Sequence, residues 1–273
     1  MSKRPLIALV TDFGTRDPYV AEVKCVLAAM CDAEIVDFTH EIAPFDVFEA
    51  AIFVRGVWES FAAMRRCSVL IAVVDPGVGT ERRILAIRDR DSFLLAPDNG
   101  LAHPLLKGTT EIRSIENASR FLPERSATFH GRDRFAPVAG ALANGFPFEK
   151  LGSALPSAAV VPLRYQLPVY GSPEAIGTVI AIDRFGNVIT DLRSDRISLE
   201  GLSVLVGAIE IRAISRTYAE APESEPFVIP GSRGTLEIAV RNGSAAALLQ
   251  TARGDRVVIL FEQPQPNAAV NLY

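Results

Sequence analysis

Cysteine is scarce in this chain, as are the other residues that build stapled or metal-bound folds. Its 273 residues include three cysteines, three histidines, three methionines and one tryptophan. Cys25, Cys31 and Cys67 are odd in number, and no two have CxxC spacing. That argues against a disulfide framework or a zinc knuckle and leaves buried thiols in a reducing compartment. An excess of one charge is missing too. Lys plus Arg (28) against Asp plus Glu (32) gives a net charge of −4. Without a cationic excess, no nucleic-acid partner is expected. The apolar run Val69–Val74, like every other in the chain, falls far short of the roughly 20 residues of a membrane span. The opening MSKRPLIALVTDFG has too short an apolar stretch for a secretion signal. The expectation is a soluble, cytoplasmic protein with no membrane partner. Phosphate-loop signatures, HExxH pairs, internal repeats and low-complexity tracts are also absent, and no metal site is expected.

What remains is an ordinary globular composition, 49% hydrophobic and 22% charged, long enough to bury a large core without staples. Leu6–Val10 is a short apolar run that reads as a buried strand, Glu34–Phe38 reads as a second short strand, and Ser68–Val74 as a third and the most hydrophobic. Between the first two, Asp17–Pro18 reads as an N-cap and first-turn proline. Val20, Val23, Cys25, Val26, Leu27 and Met30 then follow at helical spacing. Asp46-Val47-Phe48-Glu49 resembles a capping box that opens a helix to about Phe61. The β-α-β-α-β order predicts a mostly parallel sheet flanked by helices. Ile84–Ile87 and Phe93–Ala96 are further strands, and Arg132 to about Asn144 is a helix with Gly145 as its C-cap glycine. Four prolines between Leu155 and Pro173 mark a linker. Beyond it, short β-like runs (Gly177–Ile182, Val188–Asp191, Val204–Val206, Leu236–Val240, Arg256–Phe261) predict an antiparallel, barrel-like β domain, with one short helix at Ser244–Gln250. The reading is therefore an α/β domain over 1–160, a linker over 161–174, and a β domain over 175–273.

Three polar clusters follow hydrophobic strands: TDFG (Thr11–Gly14), VVDPGVGTERR (Val73–Arg83) and PDNG (Pro97–Gly100). Taken singly, each is an ordinary turn. Together they mark a site, because open α/β sheets bind ligands beyond the carboxyl ends of their strands. TFHGRD (Thr128–Asp133) places His130 immediately before a helix, whose N-terminus favours anions. His40 and His103 are isolated and read as structural. DRFGN (Asp183–Asn187), SRGTLEIAV (Ser232–Val240) and RNGS (Arg241–Ser244) are polar turns of the second domain.

The order TDFG, VVDPGVG, PDNGL, TFHGRD, DxFGN and SRGxLEIAV, running from Thr11 to Ser244, resembles the adenosine-forming S-adenosyl-L-methionine hydrolases, relatives of fluorinase and chlorinase. The resemblance implies hydrolysis of S-adenosyl-L-methionine to adenosine and L-methionine by water or hydroxide attacking ribose C5′. It implies no cofactor, since S-adenosyl-L-methionine is itself the substrate. It also implies a homotrimer, with each site between the first domain of one subunit and the second domain of its neighbour. The family's Asp–Arg–His set falls on Asp75, Arg82 and His130, with Arg83 one residue away as the alternative. Either Asp75 or His130 could be the base. Asp12 matches the aspartate on the ribose hydroxyls, Asp17 and Asp183 the carboxylates near the methionine amino group, and Ser232 and Arg233 the partners of its carboxylate. Phe45 matches an aromatic packed on the ligand. Phe185 and Asn187 belong to the turn around adenosine, Tyr218 to an adenine stack, and Asn242 to the adenine-binding backbone. Halogenases of this group carry tyrosine at position 75, and fluorinase carries serine at 131. Asp75 and Gly131 thus favour water over halide. A non-catalytic S-adenosyl-L-methionine or adenosine sensor is the other reading.

Overall fold

The computed structural model describes residues 4–64, 67–106, 110–123 and 126–262. The last stretch of the expected second domain, 263–273, lies outside the described residues. Two compact units emerge, the first reaching Arg164 and the second starting at Tyr165. Among the described residues, no helix is long and apolar enough to cross a membrane.

In the first unit, six strands form one sheet: β1 (Leu6–Thr11), β2 (Glu34–Thr39), β3 (Ser68–Val73), β4 (Ile84–Asp89), β5 (Ser92–Pro97) and β6 (Glu111–Ser114). Their order is β2-β1-β3-β5-β4-β6. The β1/β2, β1/β3 and β3/β5 pairings are parallel, and β4 runs antiparallel to both its neighbours. The central strands are buried on both faces, which is why they read as unbroken apolar runs. On β1, Leu6, Ala8 and Val10 face one core with Val54, Trp58 and Phe61 of α2 (Val47–Ala62). Ile7 and Leu9 face the other core, with Val23 and Leu27 of α1 (Tyr19–Met30) and Val138 and Leu142 of α3 (Ala136–Ala143). Strand period two sorts the residues between the cores.

Two helix starts differ from their sequence signals. Pro18 itself occupies the N-cap of α1 and no side chain caps it, so Asp17 is not a cap. Asp46 does cap α2, accepting the Glu49 N–H at 2.8 Å. Glu49 departs from a capping box by taking the Ala43 N–H at 3.2 Å. The helix that starts after His130 opens with a π turn, Gly131–Phe135, before α3. Pro137 has no N–H for the Asp133 carbonyl, and Leu122 N–H fills that place at 2.9 Å.

The second unit is an antiparallel, barrel-like sheet ordered β11-β10-β14-β8-β9-β13-β12, with β7 paired to β8. Its strands are β7 (Val169–Tyr170), β8 (Glu174–Ile182), β9 (Val188–Arg193), β10 (Leu202–Val206), β11 (Ile209–Ile211), β12 (Pro226–Pro230), β13 (Thr235–Val240) and β14 (Arg256–Phe261). Val179, Val188, Leu236, Ile238 and Ile259 share its core. A short helix, α4 (Ala245–Leu249), is capped by Ser244, whose hydroxyl accepts the Ala247 N–H.

The proline-rich stretch packs on the first unit at its start. Val160 is buried in the α2-side core, and Val161 N–H donates to Asp98 at 2.8 Å. Gly100 sits at φ +104, and a side chain there would press on Leu163 Cα and Pro162 O at 3.2 Å. Gly100→Ala is expected to destabilise the protein by about 1–3 kcal/mol, read as a lowered midpoint in thermal or urea unfolding.

Candidate active site

β1 and β3 are adjacent parallel strands in register, Thr11 beside Val73. The chain leaves β1 for β2 on one side and returns to β3 on the other. This reversal of strand order is the place where open α/β sheets form their ligand crevice, at the carboxyl ends of the strands. The TDFG loop leaves β1 there, and the Asp75 loop leaves β3.

After Asp75 the chain turns tightly. Val78 N–H donates to Asp75 O, and Thr80 N–H donates to Gly77 O. The turn brings Arg82 back against the residue seven positions earlier. Arg82 Nε donates to Asp75 Oδ1 at 2.8 Å, and Nη2 donates to Asp75 Oδ2. The same Nη2 lies 3.0 Å from His130 Nδ1. The Asp75 and Arg82 side chains are 5% and 8% exposed, and His130 is 2% exposed. Arg82 also lies over the Phe135 ring of the π turn. An arginine has only donors, so Nδ1 of His130 accepts and the ring proton sits on Nε2.

Arg83 points elsewhere. Its Nε donates to Asp98 Oδ2 at 2.8 Å, and its Nη2 donates to Ala159 O. The PDNG cluster is therefore a clamp: Asp98 holds Arg83 and Val161, while Asn99 Nδ2 donates to Val74 O at 2.9 Å. Arg132 likewise turns from the crevice. It forks onto Asp133 at 2.7 and 2.9 Å and reaches Glu22 of α1 at 2.7 Å.

Asp12 Oδ2 accepts the Phe45 N–H at 2.9 Å. Phe45 has φ +66 and is 71% exposed, an arrangement disfavoured for a bulky residue both by its backbone and by its solvation. Asp17 is exposed. Phe13, Tyr19 and Phe129 form an aromatic cluster with ring centroids 5.3–6.1 Å apart. Gly131 abuts it: a side chain there would meet the Phe13 ring at 3.2 Å.

A second cluster lies within the β unit, around the DRFGN turn. Asp183 Oδ1 accepts the N–H groups of Phe185 and Asn187 at 2.8 and 2.9 Å, and Oδ2 accepts Asn187 Nδ2 at 2.8 Å. Asn187 Nδ2 also reaches Tyr218 Oη at 3.1 Å. Phe185 is 77% exposed, and Ser232, Arg233 and Asn242 are exposed. Burial, then Glu237 and Asp183, push the Tyr218 phenol up. Burial and Asp183 push the Glu237 carboxyl up, against Arg233. Among the described residues, no three His, Cys, Asp or Glu side chains gather as a metal requires.

Profiles of the SAM hydroxide adenosyltransferase N-terminal and C-terminal domains match residues 7–152 and 177–258. The chain belongs to this family. A SAM hydroxide adenosyltransferase relative from Thermus thermophilus, named (R)-S-adenosyl-L-methionine hydrolase, is 39% identical over 94% of this chain and 100% of its own. One of the same name from Salinispora arenicola is 36% identical over 94% and 98%. Proteins named fluorinase match at 27–30% identity. A crystal structure of an uncharacterized conserved protein from Thermotoga maritima superposes with TM-score 0.85 at 35% identity, over 93% of this chain and 99% of that one.

Within this SAM hydroxide adenosyltransferase chain, the family resemblance singled out Asp75, Arg82 and His130, and the fold brings the three side chains together. Sequence reasoning passed over the Arg83–Asp98 clamp, the Glu22–Arg132–Asp133 network and Glu237. The PDNG and SRGTLEIAV stretches contained the signal, but they did not say which polar atoms face one another. Because the folded protein protonates Glu237 at a higher pH than the unfolded chain, ionisation there costs stability as pH rises past the usual glutamate range. Glu237→Gln is expected to melt higher than the parent at pH 7–8, a gain that fades toward pH 4, measured by calorimetry across pH.

Proposed function

We propose that this chain hydrolyses S-adenosyl-L-methionine to adenosine and L-methionine by attack of water at ribose C5′. The observation that carries the reading is the buried Arg82 fork on Asp75 with His130 on the same guanidinium, at the strand-end crevice of a chain whose relatives carry the hydrolase name. The chemistry suits that arrangement. A sulfonium departs as a neutral thioether, so no acid protonates it and no metal or cofactor polarises it. The protein's task is to align water with the C5′–S bond and to accept its proton. The C5′–O bond forms as the C5′–S bond breaks, and the bonding pair leaves with sulfur. His130 accepts from Arg82 through Nδ1 and carries its proton on Nε2, so it can orient the water as a donor. Asp75 is then the acceptor of the water proton, its carboxylate oriented by the Arg82 fork.

Asp12 Oδ2 is committed to Phe45 N–H, so its other oxygen would receive a ribose hydroxyl, with Phe45 packing on the ligand. Asp17 and Asp183 would serve the ammonium group, and Ser232 and Arg233 the carboxylate. Phe185, Asn187, Tyr218 and the Asn242 backbone would hold the adenosine. The chain would act as a homotrimer, its two clusters contributed to each site by neighbouring subunits. Halide transfer is disfavoured. A carboxylate at position 75 repels a halide, and a serine at 131 would press on Phe13.

Incubation in ¹⁸O-water should place the label at O5′ of adenosine, read by mass spectrometry, with no halogenated nucleoside when halide is added. Asp75→Asn should abolish turnover while ligand affinity stays within about tenfold, or 1.4 kcal/mol. Tight binding with no turnover by the parent protein would instead make it a sensor. A chelator should leave the rate unchanged, because no step requires a metal.

A further inference from the structure

His40 is a buried titratable side chain that this chemistry leaves unused. It follows β2 and is 4% exposed. Its Nδ1 lies 2.8 Å from Thr11 Oγ1 at the end of β1. Thr11 Oγ1 already accepts the Phe13 N–H at 3.2 Å, so its own proton can go to His40 Nδ1. The ring proton then sits on Nε2, 3.1 Å from Asp37 Oδ1 though off the line of a good hydrogen bond. Burial works to raise the Asp37 carboxyl, but Lys24 and His40 hold it below its usual range. Lys24 Nζ donates to its other oxygen at 2.6 Å. The backbone adds two ties between the same segments. Gly14 N–H donates to His40 O at 2.8 Å, and Ile42 N–H donates to Thr11 O at 3.4 Å.

These ties converge on one pair. Asp12 follows Thr11 directly, and its carboxylate holds the N–H of Phe45, whose φ of +66 persists only where the surroundings enforce it. We infer that His40 is a positioning residue. Acting through the Thr11 hydroxyl, it locks the turn at 11–14 to the loop at 40–45 and so sets Asp12 and Phe45 for the ligand. The ligand's identity rests on the proposed hydrolysis; the tie itself does not.

The test compares the parent with His40→Ala, His40→Asn, Thr11→Val and the His40→Ala/Thr11→Val double variant. It reads amide hydrogen exchange at Phe45, and KM and kcat for S-adenosyl-L-methionine. His40→Ala and Thr11→Val should each speed Phe45 exchange and raise KM by about tenfold, with kcat changed less than about threefold. The double variant should be no worse than Thr11→Val, which alone also frees the Phe13 N–H, because the two substitutions share the His40–Thr11 bond. His40→Asn, whose side-chain oxygen can still take the Thr11 proton, should recover most of both effects. Unchanged Phe45 exchange in a folded His40→Ala protein would overturn the inference. So would additive effects in the double variant, or a lower melting point with KM intact. If His40→Ala does not fold, the nearly isosteric Thr11→Val carries the same readouts. A parent protein that releases no adenosine, yet whose variants follow the exchange pattern, would sink the substrate reading and leave the tie standing.

Discussion

The guanidinium of Arg82 is the group on which the rest of the candidate site depends. It is buried, and so is the carboxylate it grips. Removing either partner of such a pair strands a charge in a medium that solvates it poorly, at a cost of about 3–5 kcal/mol. One nitrogen of the same group reaches Asp75 and His130 together, so a single side chain sets both the orientation of the carboxylate and the tautomer of the ring. A lysine could supply the charge but not the planar fork. The tight turn after Asp75 and the π turn after His130 both serve to bring their residues to this one group.

The fold explains why such chemistry gathers where it does. The interiors of β1 and β3, Leu6–Val10 and Val69–Val73, are apolar on both faces. Polar residues stand at the strand ends and in the loops beyond them, and the reversal of strand order between β1 and β3 sets two of those loops side by side. Packing also anchors the loops from outside. Asp98 clamps Arg83, and Arg132 ties the π turn to α1, so residues next to the site hold it without entering it. The aromatic wall of Phe13 and Phe129 stands 3.2–3.4 Å from where a Cβ at Gly131 would lie, so a larger side chain there would have to push the rings back.

A reaction whose leaving group is already a sulfonium asks little of acid or metal catalysis and much of orientation. The geometry matches that demand: hydrogen bonds are fixed, side chains are buried, and His130 is locked as a donor. The aromatics Phe45 and Phe185, 71% and 77% exposed, are the counterpart: they are the most exposed large apolar side chains among the described residues.

Much of this was legible in the sequence. The doubly buried strands announced themselves as apolar runs, the α2 cap as Asp46, and the site as acidic loops after strands. Those features are local, set by the side-chain period and by turn chemistry within a few residues. Other features depend on residues far apart in the chain. Arg82 and Arg83 are the same residue type in adjacent positions, and only the turn after Asp75 decides which faces the carboxylate and which faces Asp98. His40 reads as isolated because its partner, Thr11, is 29 positions away on a neighbouring strand. Asp17 carries a helix-cap signature, but the helix starts after Pro18, and the cap is lost. Composition and spacing thus determined which elements form and which loops are polar. The tertiary structure alone decided which polar atom meets which, because a hydrogen bond is settled by distances of a few tenths of an ångström that no sequence period encodes.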